Sequence, residues 1–515
     1  MKNSSYRFPD KHDRGISVRI TSSFFWGGWM ADVADIEKKR ICYGCVGETY
    51  LSVKISKEGK RAVCDYCEKS RRAISIATMS ELVDIAFQQH YRISRMDMDG
   101  YEWAMHKDPE STFEFEPEGD PIDMAIMNAA EISEEAAADI QEVLEDRYSN
   151  FESAQIGETT EYDGSLYYHE ILPSDRAWQE DWLAFERSLK SESRFFSPQA
   201  ADLLKKVFSG ISNLQTQTGA SLITEAGPET ELTHLFRARA FQSPGKLKTA
   251  IGRPDNELGP PPSPFAGSGR MNARGISVFY GATEPGVAVA EVRPPVGCHV
   301  AIGRFEVIRK LRLLDLGTFE KLAATGSIFD PNYSGELSRI RFLRGLTLRI
   351  ARPVMPDDQE LDYLPTQAIA DFLAAGLVAP LDGIIFPSVQ VAGESRNVVL
   401  FHSASRVEKW DVPDDIEIDV SMDSSDEDGS YPDFASFWWR KANDEQSAVA
   451  TDEADSGFWI EFEQALEKLT PPGGEATLRI SPHDVEVRLI EAVEFKSSDY
   501  KVRHHEIKAP SDANL

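Results

Sequence analysis

The sequence lacks a long apolar run: no window holds the roughly 18 consecutive apolar residues that a membrane-spanning helix needs. Its first residues, MKNSSYRFPDKHDRG, lack an apolar core, so we expect no signal peptide. Five cysteines in 515 residues are too few for a disulfide framework, and the expected compartment is cytoplasmic. Positive charge is scarce too, since 85 acidic residues against 55 basic ones give a net charge of −30. This balance argues against general nucleic-acid binding and against binding to anionic membranes.

The length of the chain predicts several domains, because 515 residues exceed what one hydrophobic core usually organises. Part of the acidity is local. Residues 411–455 contain fifteen acidic and two basic residues, a net charge of −13. We interpret this stretch as a solvated insertion, because its acids lack the alternating spacing and the glycine of a calcium-binding loop.

Four of the five cysteines form two Cys-x2-Cys pairs, Cys42 with Cys45 and Cys64 with Cys67. The intervening YLSVKIS-KEGK-RAV predicts a β-hairpin that turns at KEGK. Two such pairs flanking a short hairpin bring four thiolates together, and Zn²⁺ is the usual occupant of a closed four-sulfur site. The sequence therefore predicts structural zinc, the alternative being two thiol turns without a metal.

Residues 76–220 are predicted to be mostly helical. The clearest pattern is RAWQEDWLAFERSLK, whose apolar residues repeat at helical spacing and are interpreted as a packing stripe: Trp178, Trp182, Phe185 and Leu189. The following segment 221–228, SLITEAGP, is interpreted as a linker. Strand and helix patterns then alternate, which predicts a mixed α/β region.

Six short motifs between Phe236 and Phe401 carry the chemistry: FRARAF, GRMNARG, VFYGATEP, AEVRP, DYLPTQAIADFL and GIIFPSVQVAGESRNVVLF. They place four functional side chains at the ends of predicted elements: Arg237, Tyr280, Glu291 and Ser388. This set suits a nucleotide with a diphosphate, a flat base and a cleavable glycosidic bond. A Rossmann dehydrogenase is unsupported, because no GxGxxG run lies between a strand and a helix.

These linked motifs resemble the RES domain, named for an Arg, a Glu and a Ser that correspond here to Arg237, Glu291 and Ser388. The resemblance covers Glu229–Trp410. The cysteine-bearing helical half is similar to the HEPN/RES N-terminal domain, but it lacks an Arg-x4–6-His RNase signature, so RNA cleavage is not carried over.

The resemblance implies a multidomain α+β chain in which a four-Cys zinc-binding hairpin and a helical domain precede an ADP-ribosyltransferase-like mixed α/β RES domain. The expected domains are an N-terminal segment (1–40), a four-Cys zinc-binding module (41–75), a helical HEPN/RES-type domain (76–220), the RES catalytic domain (229–410), the acidic insertion (411–455), and a C-terminal helix and strands packing on the RES domain (456–515).

The activity implied by the resemblance is that of an NAD-consuming toxin. It would be an NAD glycohydrolase or NAD phosphorylase that cleaves the nicotinamide–ribose bond, with an Xre-like antitoxin or another inhibitory protein as partner. Two alternatives stay open: a protein ADP-ribosyltransferase and an inactive nucleotide-binding scaffold. The acceptor, whether water, phosphate or protein, also stays open.

The chemistry needs only one carboxylate, because nicotinamide leaves as a neutral amide and requires no general acid, unlike a sugar oxygen. Glu291 is the candidate that stabilises the positive ribose. Arg237 would bind the diphosphate, with Arg239 two residues further on as the alternative. Tyr280 would stack on nicotinamide or pack in a core. Ser388 would bind the nicotinamide amide or the ribose, or end a strand.

Four further residues complete the expected NAD-binding set: Arg239, Arg270, Asn272 and Asn397. Arg270 and Asn272 precede a predicted strand, where they either contact phosphate or form the turn. The helix that begins near Tyr363 carries Thr366 and Gln367, which are interpreted as capping residues.

Overall fold

The computed structural model describes residues 29–108, 110–149, 159–376, 380–388, 390–391, 395–426, 429–440, 475–494 and 496–505. The chain divides into two compact units. The first comprises Met1–Pro173 and Thr325–Leu337, and the second comprises Ser174–Ala324 and Ser338–Leu515. None of the described helices has the length and apolar character required to cross a membrane.

The first unit is mainly helical, with two small antiparallel sheets in its described part. Its helices are α1 (Trp29–Ile36), α2 (Thr49–Glu58), α3 (Ile76–His90), α4 (Gly100–Lys107), α5 (Ile122–Ala130) and α6 (Glu134–Tyr148). Its strands are β1 (Arg40–Cys42), β2 (Lys60–Val63), β3 (Ser70–Ser75), β4 (Tyr91–Ile93), β5 (Asp120–Pro121) and β6 (Tyr167–Glu170). The strand orders are β1-β3-β2 and β4-β6-β5, and apolar residues of α2, α3, α5 and α6 form the core.

The predicted hairpin between the two cysteine pairs is wrong, because this segment forms α2 followed by β2. Leu51 and Ile55, one helical turn apart, are buried, whereas Val53 between them is 44% exposed. The buried positions therefore repeat with the period of a helix, although apolar residues also occur at every second position of the sequence, as in a strand. The Glu48 carboxylate accepts a hydrogen bond from the Leu51 backbone N–H (2.7 Å) and caps the helix. β2 pairs instead with β3, which follows the second cysteine pair.

The second unit packs helices against a large sheet. Its helices are α7 (Arg176–Ser191), α8 (Pro198–Phe208), α9 (Pro244–Gly252), α10 (Pro254–Glu257), α11 (Pro285–Val292), α12 (Tyr333–Ala351, of which residues 338–351 belong here), α13 (Gln359–Asp362) and α14 (Leu364–Ala374). Its strands are β7 (Ile223–Ala226), β8 (His234–Phe241), β9 (Phe279–Ala282), β10 (His299–Val307), β11 (Leu311–Asp315), β12 (Gly383–Pro387), β13 (Arg396–Leu400), β14 (Ile416–Asp426), β15 (Gly429–Arg440), β16 (Leu478–Arg479) and β17 (Val485–Leu489).

The large sheet has two halves in the described part of the chain. Its order is β16-β10-β8-β9-β13-β12-β11-β7, and β17 also pairs with β10. β8 and β10 pair along eight residues, but β8 and β9 pair only at Phe236↔Ala282. The two halves are therefore joined by that one residue pair. α11 packs against β8 through Val287 and Ala288.

The segment interpreted as a linker is a strand, which corrects that expectation. β7 pairs with β11 in antiparallel register from Ile223↔Leu314 to Ala226↔Leu311. Ala226 and the preceding Leu222 are fully buried. The segment is short, and its partner strand lies about ninety residues further along the chain, so no local pattern reveals the pairing.

The helical region expected over 76–220 is divided, because the first unit ends at Pro173. α7 and α8 belong to the second unit. The apolar stripe predicted in α7 is buried, as expected, but it belongs to the same core cluster as residues of α8, α12 and α14 and Phe386 and Phe401 of the sheet region. Burial of this stripe explains why the helix joins the α/β unit.

The acidic stretch interpreted as a solvated insertion contains a long hairpin, β14–β15, in its described part. Val420, Met422 and Phe434 turn toward the second unit's core, and the Ile418 and Val420 side chains lie beside Gly252 of α9. Alternation of acids with apolar residues lets one face pack while the other stays solvated. The rest of that stretch, and the helix expected in FWIEFEQALEKL, lie outside the described residues.

Trp182→Ala tests the packing of α7. Trp182 is only 1% exposed and packs on Phe185 and Phe342, so its removal leaves a large cavity. We expect a loss of about 3–5 kcal/mol in the free energy of unfolding, measured by urea denaturation followed by circular dichroism. Leu183→Ala, on the exposed side of α7, serves as the control and should change stability by less than about 0.5 kcal/mol. Equal losses in the two variants would contradict this packing.

Candidate active site and candidate metal centre

The four predicted cysteines of the first unit converge. Cys42 ends β1, Cys45 ends the turn after it, and Cys64 and Cys67 lie between β2 and β3. The Cys42 sulfur lies 3.8 Å from that of Cys45 and 3.7 Å from that of Cys67, and the Cys45–Cys64 distance is 3.8 Å. Tetrahedral zinc with Zn–S bonds of about 2.3 Å requires sulfurs about 3.8 Å apart. The predicted convergence is confirmed, and its geometry is compatible with structural zinc.

The environment of the cluster also suits a cation. Burial raises the pKa of Cys42 and of Cys45, so these thiols resist ionisation without a positive partner. A hydrogen bond from the backbone of Lys69 lowers the pKa of Cys67 to about 7. Four sulfurs would close the coordination sphere, so a metal held here would stabilise the fold and leave no open position for a substrate.

In the second unit, two of the expected residues, Ser388 and Asn397, contact a third, Glu291. The Ser388 hydroxyl donates to Oε1 of Glu291 at 2.9 Å, and Nδ2 of Asn397 donates to the same oxygen at 2.8 Å. Ser388 and Asn397 are almost fully buried, whereas Glu291 is exposed at the end of α11. We call this set the Glu291 cluster. It holds one carboxylate oxygen in place, and Oε2 has no hydrogen-bond partner among the described residues.

Local structure explains how Glu291 reaches the cluster. Pro285 begins α11, Val287 and Ala288 bury one face against β8, and Glu291 follows one turn later on that face. Arg293 ends the helix with φ +45°. Ser388 directly follows β12, and Asn397 lies in the neighbouring β13.

Asn397 contributes a second feature, because its Oδ1 is buried and has no hydrogen-bond partner in the part of the chain that the structure describes. A buried, unpaired amide oxygen costs free energy unless it meets a donor. With Oε2 of Glu291, the cluster therefore has two acceptor atoms without a hydrogen-bond partner among the described residues, of which Oδ1 of Asn397 is buried.

Arg237 and Arg239 are half-buried on β8 and form no ion pair among the described residues. The Arg237 guanidinium donates to the Tyr280 carbonyl at 3.3 Å and lies 5.3 Å from the Phe279 ring centre. Burial and, to a lesser extent, the nearby charge of Arg239 lower the pKa of Arg237 to about 9, so the group remains charged at neutral pH. No described hydrogen bond or ion pair joins it to the Glu291 cluster.

Tyr280 and Asn272 belong to a separate, saturated network. The Tyr280 hydroxyl donates to Oδ1 of Asn272 at 2.8 Å and accepts from the Met271 backbone N–H at 2.9 Å. Nδ2 of Asn272 donates to the carbonyls of Gly267, Ala273 and Ile276, and the residue is 3% exposed. Asn272 therefore builds the turn, and the structure offers none of its polar atoms to a ligand.

Gly269 allows this arrangement. A Cβ atom at this position would lie 2.5 Å from Oδ1 of Asn272 and 2.6 Å from the Tyr280 hydroxyl. Glycine is therefore required by close approach, since φ at this position is not positive.

The Arg270 side chain also forms hydrogen bonds within the protein. Its guanidinium donates to the carbonyl of Ile350 and, at 2.8 Å, to that of Arg352, and it lies 5.4 Å from the Tyr363 ring centre. A cation at these carbonyls stabilises the C-terminal end of α12. Of the two interpretations of the GRMN turn, the contacts of Arg270 and Asn272 support the structural one.

Thr366 and Gln367, interpreted above as capping residues, hold the GRMN turn (residues 269–272). Nε2 of Gln367 donates to the Gly269 carbonyl at 2.8 Å and the Asn272 carbonyl at 3.1 Å, while the Thr366 hydroxyl donates to the Arg270 carbonyl at 2.6 Å. The motif DYLPTQAIADFL draws attention to both residues. It does not predict their partners, because these lie almost one hundred residues away in sequence. Arg396 is similarly paired with the buried Asp315 at 3.0 Å.

Comparison with known protein families gives a match for part of the chain. Residues 235–423, which contain Arg237, Glu291 and Ser388, match the model of the RES domain. A RES domain is consistent with a toxin-like function connected to NAD. No curated protein and no solved structure matches the chain.

Cys45→Ser tests the metal centre. Zinc measured by plasma emission spectroscopy should be about one ion per wild-type chain, and the variant should lose most of it because one of four sulfurs is missing. Cys298→Ser is the matched control, since Cys298 is buried in the second unit outside the cluster. Equal zinc in both variants, or none in the wild type, would exclude the site.

Proposed function

We propose that the second unit is an NAD-consuming enzyme that cleaves the nicotinamide–ribose bond by hydrolysis or phosphorolysis. The observation that carries the proposal is the Glu291 cluster within a segment that matches the RES domain. A carboxylate with one oxygen fixed by buried donors and the other unpaired suits a reaction that develops positive charge on a sugar.

The residues would act in distinct ways. When the C–N bond breaks, its electron pair leaves with the nicotinamide nitrogen, and the ribose carbon becomes electron-poor. Glu291 would stabilise that positive charge through Oε2. Ser388 and Asn397 would keep the carboxylate in place, and Oδ1 of Asn397 would accept a hydrogen bond from the substrate. Water or phosphate then forms the new C–O bond and releases a proton.

Arg237 supports the assignment of a nucleotide substrate. Its half-buried guanidinium has no carboxylate partner among the described residues, so its charge is available for the diphosphate. Tyr280 would contribute only its ring, because its hydroxyl is bound to Asn272.

A toxin role belongs to the same proposal: NAD depletion would arrest growth, and an Xre-like antitoxin or another inhibitory protein would cover the Glu291 cluster. Product analysis defines the acceptor. Purified protein is incubated with NAD labelled in its adenylate half, with and without phosphate and with cell lysate. Free ADP-ribose indicates hydrolysis, its 1″-phosphate indicates phosphorolysis, and label in protein indicates the alternative ADP-ribosyltransferase.

Glu291→Gln tests the role of the charge. The amide keeps an oxygen that accepts from Ser388 and Asn397 but loses the negative charge, so nicotinamide release should fall about 10²- to 10³-fold with little change in melting temperature. The control is Glu284→Gln, an exposed glutamate before the first turn of the same helix whose side chain makes no capping bond. Retained activity in Glu291→Gln would refute the assignment.

Arg237→Gln and Arg239→Gln distinguish the two candidate anchors. Loss of a charge-assisted hydrogen bond to the diphosphate should raise KM for NAD at least about tenfold in the Arg237 variant, with a smaller effect at Arg239. Initial rates of nicotinamide release give KM, and thermal melting checks the fold. A larger effect at Arg239 would transfer the role to that residue.

A further inference from the structure

A basic groove lies beside the four-Cys cluster of the first unit. It is an open pocket of about 750 Å³ whose lining includes Tyr43, Lys60, Arg61, Arg71 and Arg72. Residues 54–72 contain seven basic and three acidic residues, in a chain whose net charge is −30. We call these five lining residues the basic groove. The concentration of charge is local, so the overall acidity of the chain does not describe this surface.

The positive charges of the groove have no carboxylate partners within the described residues, although the Arg72 guanidinium donates to the Lys57 carbonyl at 2.6 Å. None of Lys60, Arg61, Arg71 and Arg72 forms an ion pair with a carboxylate among the described residues. Arg61 and Arg72 face each other directly across β2 and β3, although like charges in such a pair are destabilising. Lys60, Arg61 and Arg72 are exposed. Zinc with four thiolates would carry a charge of −2 and offset only part of this excess. An anionic ligand would relieve the remaining repulsion.

An aromatic ring extends the groove. Tyr43 is 38% exposed, and the Arg71 guanidinium lies 5.6 Å from its ring centre. Gly44 makes room for this contact, since a Cβ atom there would lie 1.9 Å from Nη1 of Arg71. A flat ring and a guanidinium plane beside several cations suit an anion that also has a flat base. An acidic peptide would use the charges but would have no need of the ring.

We propose that the basic groove binds single-stranded nucleic acid, with phosphates at Lys60, Arg61, Arg71 and Arg72 and a base stacked on the ring of Tyr43. Because the groove has four cations, the expected site is small and contacts about four phosphates. Because most of the binding free energy comes from released counterions, binding is sensitive to salt. This site does not depend on NAD cleavage by the second unit.

Fluorescence anisotropy of the full-length, zinc-loaded protein with a dye-labelled single-stranded 12-mer tests the proposal across a series of salt concentrations. Four phosphate contacts predict a slope of log K against log[salt] of about −3 for the wild type. Lys60→Ala/Arg61→Ala should reduce the slope to about half. The control Lys38→Ala/Arg92→Ala removes the same charge from exposed residues that do not line the groove and should leave the slope unchanged.

Tyr43→Leu separates stacking from charge. It should weaken binding about 5- to 100-fold without changing the salt slope. Zinc content and circular dichroism should match the wild type in every variant. Any of four results would overturn the proposal: no binding at low salt, equal loss in the groove and control double variants, equal competition by polyglutamate, or equally tight binding of a duplex of the same sequence.

Discussion

The two hydrogen bonds that Oε1 of Glu291 accepts hold the second unit's candidate site together. Their donors, Ser388 and Asn397, are 97 and 106 residues away in sequence, so the cluster exists only when the sheet is assembled. Both donors are nearly buried, Ser388 directly after β12 and Asn397 in the adjacent β13, which fixes the carboxylate, while α11 brings Glu291 to them from the other half of the sheet. A carboxylate placed in this way has one oxygen committed to the fold and one left for chemistry.

The RES motifs therefore divide into two groups. Glu291, Asn397 and Arg237 present polar atoms whose bonding is incomplete within the described residues, and the Ser388 hydroxyl, which also accepts from the Gln390 backbone N–H, holds Glu291. Arg270 donates to two backbone carbonyls, Asn272 donates to three, and Gln367 and Thr366 hold the same turn from α14. The second group positions Tyr280, whose hydroxyl is fixed by that turn. A motif can thus be needed for the site without touching a substrate.

Those parts of the fold that depend on a local sequence pattern could be predicted. The stripe through Trp182 and the helix from Pro285 follow from helical spacing and from proline at a first turn. Prediction failed where distant partners decide the structure. The alternating apolar residues of α2 suggested a strand, β7 forms only against β11, and the acidic hairpin packs on α9 through a few apolar residues. The role of Arg270 was undecidable because its acceptors lie 80 and 82 residues away.

The most direct test of the central claim is a crystal structure of the Glu291→Gln protein soaked with NAD, because loss of the charge should slow cleavage while keeping the cluster intact. We expect the nicotinamide ribose within hydrogen-bond distance of the side chain at position 291, a donor of NAD on Oδ1 of Asn397, and the diphosphate at Arg237. NAD bound elsewhere, or Oδ1 of Asn397 still unpaired in a fully occupied complex, would contradict the account.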